Sequence, residues 1–343
     1  MSVAKSREEP HYRGPTYYEL KAPPELDWRP FRPASYLEYR LEWDRRGSQM
    51  DPGRFPLHLD IDPTNRCNLA CVMCPRTVYA REGRTAWAPR GLGDMDFALY
   101  ERLVEEGAAE GLRSVKLNFL GEPLLYPKLA AMIALAAARG LYAMLNTNAV
   151  LLTPAKGREL LEAGLTDIFF SFDSPYPAEY ERIRRGASFR GVLDNIRAFI
   201  QSKDEMGLKS VQTRASMVLP ADGGDSEKTR SDYLRLFRDL GVAEIGFGLP
   251  TDLSRDYEPL NRGLNFSCPD LFRRAFVFWD GAVGPCCGDW ERRLIMGDAK
   301  ERRLLDIWGG EEYRALRAPH SRGNFREIPA CRICSVPYLA RAF

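Results

Sequence analysis

The chain has 343 residues, a formal net charge of +2, 45% hydrophobic residues and 28% charged residues. That is ordinary globular composition, with length for one large domain and a smaller one, and the near-balanced charge gives no reason to expect nucleic acid as a partner. The longest apolar run, residues 129–138, is far shorter than the roughly 20 residues that span a bilayer and ends at Arg139-Gly140 as a soluble helix does. No membrane association is expected. The first 30 residues are polar and proline-rich, without the apolar core of a secretory signal, so a cytoplasmic protein is expected.

Residues 1–55 are rich in proline and aromatics with no clean period and read as an arm that wraps the rest. From residue 56 short β-rich runs are expected at 57–61, 114–119, 141–146, 167–172, 210–219 and 244–247. Amphipathic helical stretches lie between them at 97–109, 127–139, 154–163, 193–206 and 231–240. Four of these end at a glycine suited to a helix C-cap: Gly140, Gly164, Gly207 and Gly241. Strand–helix alternation at this spacing predicts an α/β fold with a parallel sheet and helices outside it. Six units are too few for the usual eight-stranded barrel. A six-stranded partial barrel over residues 56–250 fits better. From about residue 262 to the end at 343 the alternation is lost and cysteines appear, which predicts a small cysteine-ligated module with too little apolar sequence for a core of its own.

The eight cysteines are placed unevenly, at 67, 71 and 74 and then at 268, 286, 287, 331 and 334. A reducing cytosol disfavours disulfides, and such clustering points to metal ligation. The three histidines, His11, His58 and His320, stand beside no cysteine pair in sequence, which disfavours a mixed zinc site. Thiolate-only ligation leaves a four-cysteine zinc site or an iron–sulfur cluster. The first group lies in Asp62-Pro-Thr-Asn-Arg-Cys67-Asn-Leu-Ala-Cys71-Val-Met-Cys74, directly after the first expected strand. A CxxxCxxC spacing can turn three thiolates toward one centre. Three ligands for four irons leave one iron open to bind a small molecule, whereas zinc wants a fourth ligand close by.

CxxxCxxC at the end of the first strand of a six-unit βα pattern resembles the radical SAM superfamily over about residues 56–250. The resemblance implies a partial (β/α)6 barrel. It also implies that Cys67, Cys71 and Cys74 hold a 4Fe-4S cluster whose open iron chelates S-adenosylmethionine. Cleavage of that molecule gives a 5′-deoxyadenosyl radical. Further motifs fall at the ends of later strands. Leu120-Gly121-Glu122-Pro123 is similar to the family's Gly-Gly-Glu, so Gly121 and Glu122 are expected at the methionine amino group. Asn146-Thr147-Asn148 resembles Thr-Asn-Gly with one departure, and Ser171-Phe172-Asp173 matches Ser-x-Asp, which implies contacts to ribose and methionine. Arg184 resembles an arginine that pairs with the cofactor's carboxylate, a task suited to its planar fork. Met73 takes a position beside the adenine that is often aromatic in the family. All lie where parallel sheets and barrels build their sites.

In the C-terminal part, Cys268 and Cys286 flank Gly281. Trp279-Asp-Gly-Ala-Val-Gly-Pro-Cys286-Cys287 reads as a hairpin turning at Asp280-Gly281, and Cys331-Arg-Ile-Cys334 closes the pattern. This arrangement resembles the extension shared by SPASM and Twitch enzymes, of the 2-deoxy-scyllo-inosamine dehydrogenase type. It implies one auxiliary 4Fe-4S cluster on Cys268, Cys286, Cys331 and Cys334. Cys287 is left over, either simply buried, the true ligand in place of Cys286, or a hydrogen-atom donor to a substrate radical.

An auxiliary cluster with four protein ligands has no open iron, so electron transfer is its natural use. The leading expectation is oxidation of a polar small molecule, an aminocyclitol, sugar or nucleoside of secondary metabolism such as antibiotic biosynthesis. The electrons are expected from a flavodoxin- or ferredoxin-type donor. Epimerisation, dehydration or decarboxylation of a similar substrate, or modification of a ribosomally made peptide or a protein, are the alternatives. Asn118, Arg214 and Glu244 are candidate substrate contacts in the barrel mouth.

Overall fold

The computed structural model describes residues 10–14, 17–219, 227–248 and 255–339. The chain enters through a hairpin, β1 (Pro10–Gly14) and β2 (Tyr17–Leu20), and a helix, α1 (Ala34–Gln49). It then alternates: β3 (His58–Ile61), α2 (Pro75–Arg81), α3 (Phe97–Glu110), β4 (Ser114–Leu117), α4 (Leu129–Ala138), β5 (Tyr142–Thr147), α5 (Pro154–Glu162), β6 (Asp167–Ser171), α6 (Pro177–Ile183), α7 (Phe189–Glu205), β7 (Gln212–Val218), α8 (Glu227–Asp239) and β8 (Glu244–Gly248). Strands β3 to β8 are mutually parallel and lie side by side in chain order, as the six-unit pattern predicts.

Local chemistry sets the helix limits. Asp96 caps α3 by accepting from Ala98 N at 3.0 Å, and Thr153 caps α5 by accepting from Lys156 N at 3.2 Å with Pro154 at the first helical position. Gly140 and Gly164 follow helices α4 and α5 at φ of 70° and 95°, a left-handed turn that a side chain would strain. Strands β3, β6 and β8 are buried almost without interruption because helices cover one face and the barrel interior lies on the other. In β5 burial alternates. Ala143 and Leu145 join the apolar core, while Met144 opens on the interior.

The N-terminal arm closes one end of the barrel, the end where the parallel strands begin. Trp28 Nε1 donates to Glu244 Oε1 at 3.2 Å, Arg32 pairs with Asp167 at 3.1 Å, and the Tyr39 hydroxyl meets Ser114 Oγ at 2.8 Å. Tyr39 also stacks on Tyr142, and Trp43 lies edge-on to His58. Glu244 is wholly buried there, also bonded to Gln212. It therefore lies at the closed end and not in the barrel mouth, which corrects its sequence-based assignment as a substrate contact.

The C-terminal part extends the same sheet. Its first strand, β9 (Arg274–Val277), lies parallel to β3, and β10 (Ala282–Gly284) and β11 (Gly297–Asp298) follow antiparallel. The β9–β10 connection turns at Gly281, φ 91°, and is pinned by a two-pronged pair between Arg292 and Asp280, both contacts 2.9 Å. Helices α9 (Leu304–Trp308), α10 (Glu311–Ser321), α11 (Pro329–Arg332) and α12 (Ser335–Leu339) complete the described chain.

Candidate active site

The first three cysteines occupy the loop that leaves β3, at the end of the barrel opposite the arm. The loop is fastened on every side. Thr64 Oγ1 donates to Gly93 O at 2.9 Å, and the Asn65 amide both donates to Gly91 O and accepts from Gly93 N at 2.9 Å. Ala70 N and Val72 N donate to Arg185 O and Ile183 O at 3.1 and 3.0 Å, and Glu122 N donates to Arg66 O at 2.7 Å. Gly121 comes so close that a Cβ there would lie 1.8 Å from Thr64 O. Only glycine permits that approach.

So held, Cys67, Cys71 and Cys74 are half-buried free thiols. Two N–H groups aim at the first sulfur, Leu69 N at 3.5 Å and Asn148 Nδ2 at 3.9 Å. Such donors support a ligating thiolate. Burial pushes the Cys71 thiol up to about 11.

The strand-end motifs converge beside this loop. Buried Glu122 accepts from Thr147 Oγ1 at 2.6 Å, from Asn148 N at 2.8 Å and from Leu124 N at 3.2 Å. Burial nevertheless pushes its carboxyl above the ordinary value. Asp173 accepts from Val218 N at 2.9 Å and faces Arg184 at 2.7 Å, both residues buried. The Asn146 backbone N–H donates to Asn118 Oδ1 at 3.0 Å, while its own side-chain Oδ1 is buried with no partner among the described residues. Ser171 closes β6, and Met73 is half-buried within the cysteine loop.

The other five thiols ring one cavity of about 340 Å³. Cys268 precedes β9, Cys286 and Cys287 follow β10, and Cys331 and Cys334 lie at α11. The same cavity reaches Lys116, Phe169 and Arg214 on the barrel strands. The Arg214 guanidinium lies 3.6 Å over the Phe169 ring. Cys287 is the exposed member of the group. Burial pushes Cys331 up to about 12 and Cys334 up to about 11. Among the described residues, no three or more His, Cys, Asp or Glu side chains are closed around a single ion.

The chain matches the family model "Radical SAM superfamily" over residues 61–205 and "Iron-sulfur cluster-binding domain" (SPASM) over residues 268–335. A GTP 3′,8-cyclase of Synechococcus sp. is 31% identical over 82% of this chain and 88% of its own length. The chain belongs to the radical SAM superfamily. Two further relatives span it comparably. The tungsten-containing aldehyde ferredoxin oxidoreductase cofactor-modifying protein of Pyrococcus furiosus is 25% identical over 81% of this chain and 87% of its own length. The S-adenosyl-L-methionine-dependent 2-deoxy-scyllo-inosamine dehydrogenase of Niallia circulans is 24% identical over 81% and 92%. Solved structures share the fold. BtrN in complex with AdoMet and 2-DOIA has TM-score 0.53 and 21% identity, over 82% of this chain and 94% of that one. Streptococcus suis SuiB bound to S-adenosylmethionine has TM-score 0.60 and 16% identity, over 82% and 70%.

As a radical SAM enzyme the protein uses S-adenosylmethionine and a 4Fe-4S cluster, with further iron–sulfur ligation in its SPASM region. The residues present fit those groups. Three thiols stand on one preorganised loop with N–H donors to sulfur, the buried side-chain oxygen of Asn146 has no partner among the described residues, and five thiols line a single cavity. Sequence reasoning missed the residues that hold the loop, Thr64, Asn65 and Asn68, the last accepting from Asn148 Nδ2 at 2.9 Å. It also missed His320, which lies between Cys268 and Cys331 in space although no spacing in the sequence announces it. No described helix is long and apolar enough to cross a membrane.

Proposed function

We propose that this radical SAM enzyme oxidises a polar small molecule of the aminocyclitol, sugar or nucleoside class, drawing electrons from a flavodoxin- or ferredoxin-type donor. When bound, the two clusters and S-adenosylmethionine would supply a 5′-deoxyadenosyl radical for hydrogen abstraction and a sink for the second electron, the hydroxyl proton leaving to water, as an alcohol becomes a ketone. Cys67, Cys71 and Cys74 hold the first cluster; Cys268, Cys286, Cys331 and Cys334 hold the second. The observation that carries the reading is the cavity, which joins the five C-terminal thiols to Lys116, Phe169 and Arg214 inside the barrel and, toward the arm, to Tyr39, Trp43 and His58. A substrate extending from Lys116, Phe169 and Arg214 through the barrel interior toward the loop that leaves β3 would stand between the first three thiols and the proposed electron acceptor. Arg214 and Lys116 offer N–H donors and positive charge to hydroxyl oxygens, and Phe169 and Met144 cover the apolar edge of a ring. Glu122, Asn148, Asp173 and Arg184 orient the cofactor, with Gly121, Asn146, Ser171 and Met73 around it. Similarity to the dehydrogenase over most of both chains supports this reading.

A redox-neutral alternative has its own support, because exposed Cys287 lines the same cavity and could return a hydrogen atom. Turnover in deuterated water separates the two. The oxidation reading expects a ketone with no deuterium at the abstracted carbon, and Cys287→Ala leaves the yield unchanged. Deuterium uptake that vanishes with Cys287→Ala would replace oxidation by epimerisation.

A further inference from the structure

The C-terminal cysteines have an imidazole among them. His320 sits in the last turn of α10 with only 2% of its surface exposed. Its Nδ1 accepts the backbone N–H of Cys268 at 3.2 Å, and its Nε2 lies 3.4 Å from Cys331 Sγ. A backbone amide always donates, so Nδ1 carries a lone pair and the ring proton is on Nε2, facing the sulfur. The ring has little room to swing. Its backbone carbonyl accepts from Ser267 Oγ at 2.5 Å and from Gly323 N at 3.0 Å, and Phe325 packs against it.

We propose that His320 is the N–H···S donor that sets the reduction potential of the auxiliary cluster held by Cys331. A donor aimed at a ligating sulfur withdraws electron density and favours the reduced state, which raises the potential. Through its other nitrogen the same ring ties Cys268 to Cys331, two proposed ligands 63 positions apart in the chain. His320 is not itself a ligand. Ligation through Nε2 would put the proton on Nδ1, where it would meet the Cys268 N–H donor to donor. The residue is a positioning and tuning residue for electron transfer, and the inference rests on the assignment of Cys331 as a ligand.

The test is an EPR-monitored redox titration of the anaerobically reconstituted full chain. The auxiliary signal is identified as the one that S-adenosylmethionine does not alter. His320→Leu removes the donor and should move that potential to a more negative value, leaving the first cluster and the iron content unchanged. His320→Gln, whose amide N–H can reach the same sulfur, should return the potential toward the parent value. A parental potential in His320→Leu, or a potential in His320→Gln as low as in His320→Leu, would overturn the inference. So would loss of half the iron in both variants, which would make His320 a ligand or a structural prop. Cys331→Ala retaining the full iron load would instead refute the ligand assignment, whatever the histidine variants do.

Discussion

Glu122 accepts three hydrogen bonds from its own chain, two of them from the Thr147-Asn148 turn that also reaches Cys67 through Asn148. Glu122→Ala should therefore loosen the cofactor pocket while leaving the cysteines in place. Loss of a charged hydrogen-bond partner costs ~1.5–3 kcal/mol, so affinity for S-adenosylmethionine should fall roughly tenfold to a hundredfold with iron content unchanged. Asp173→Asn, which uncouples Arg184, should behave similarly. Calorimetric titration of both variants with parental affinity would show that the pocket lies elsewhere. Asp62 gives a pH effect. Burial pushes its carboxyl up from 3.8 to about 7, against the opposing pull of Arg292. The folded state thus keeps a proton that the unfolded chain has already lost. The Asp62 contribution to stability should fall by about 1.4 kcal/mol per pH unit as pH rises between roughly 4 and 7, against the opposite contributions of His58 and His320, whose buried rings are held below the ordinary imidazole value. Asp62→Asn should remove that contribution, so the variant gains stability relative to the parent between pH 5 and pH 7 in urea unfolding; an unchanged difference would remove Asp62 as its source. The strand-end placement of the first cysteines, Glu122 and Asp173 was legible in the sequence because residue type and strand-end position are local properties. His320 was not, because its partners lie 52 and 11 residues away and only the fold unites them.

The junction of β3 with β9 joins the barrel to the cysteine-rich part. Buried Asp60 on β3 receives two hydrogen bonds from Arg274 on β9, at 2.8 and 2.5 Å, with His58 at 3.6 Å and Lys116 at 4.0 Å beside it. Arg274→Met removes the main partner and leaves a buried carboxylate, which typically costs about 3–5 kcal/mol. Adding Asp60→Asn should recover much of that loss. A double variant no more stable than the single one in denaturant melts would contradict the pairing. The six strands were readable because short β-rich runs alternate with five amphipathic helical stretches, four of which end at a glycine. Helix α1 was not. Tyr36, Tyr39 and Trp43 do recur at helical spacing, but they sit in a segment dense with proline and aromatics, and the helix is stabilised by packing on Tyr142 and His58 far along the chain.

Across the whole molecule, one continuous sheet runs from the N-terminal hairpin through the barrel to β11. The far end is tied back to the barrel by Glu106 of α3, which caps α9 through the Leu304 and Leu305 amides at 3.2 and 2.9 Å. The sequence pointed to a C-terminal part poor in core-forming residues, and Leu304, Ile307, Trp308 and Tyr313 do share the barrel's apolar core. Two thiol groups fixed on one such frame, with a cavity reaching from one of them into the barrel, are the basis of the proposed chemistry. Iron and sulfide counted per chain after anaerobic reconstitution test that basis most directly. The parent protein should hold about eight of each, assuming two four-iron clusters. The Cys67→Ala, Cys71→Ala, Cys74→Ala variant should hold half and cleave no S-adenosylmethionine, and the Cys331→Ala, Cys334→Ala variant should hold half and still cleave it. Zinc in place of iron at the C-terminal thiols, or an unchanged iron count in the second variant, would contradict the account.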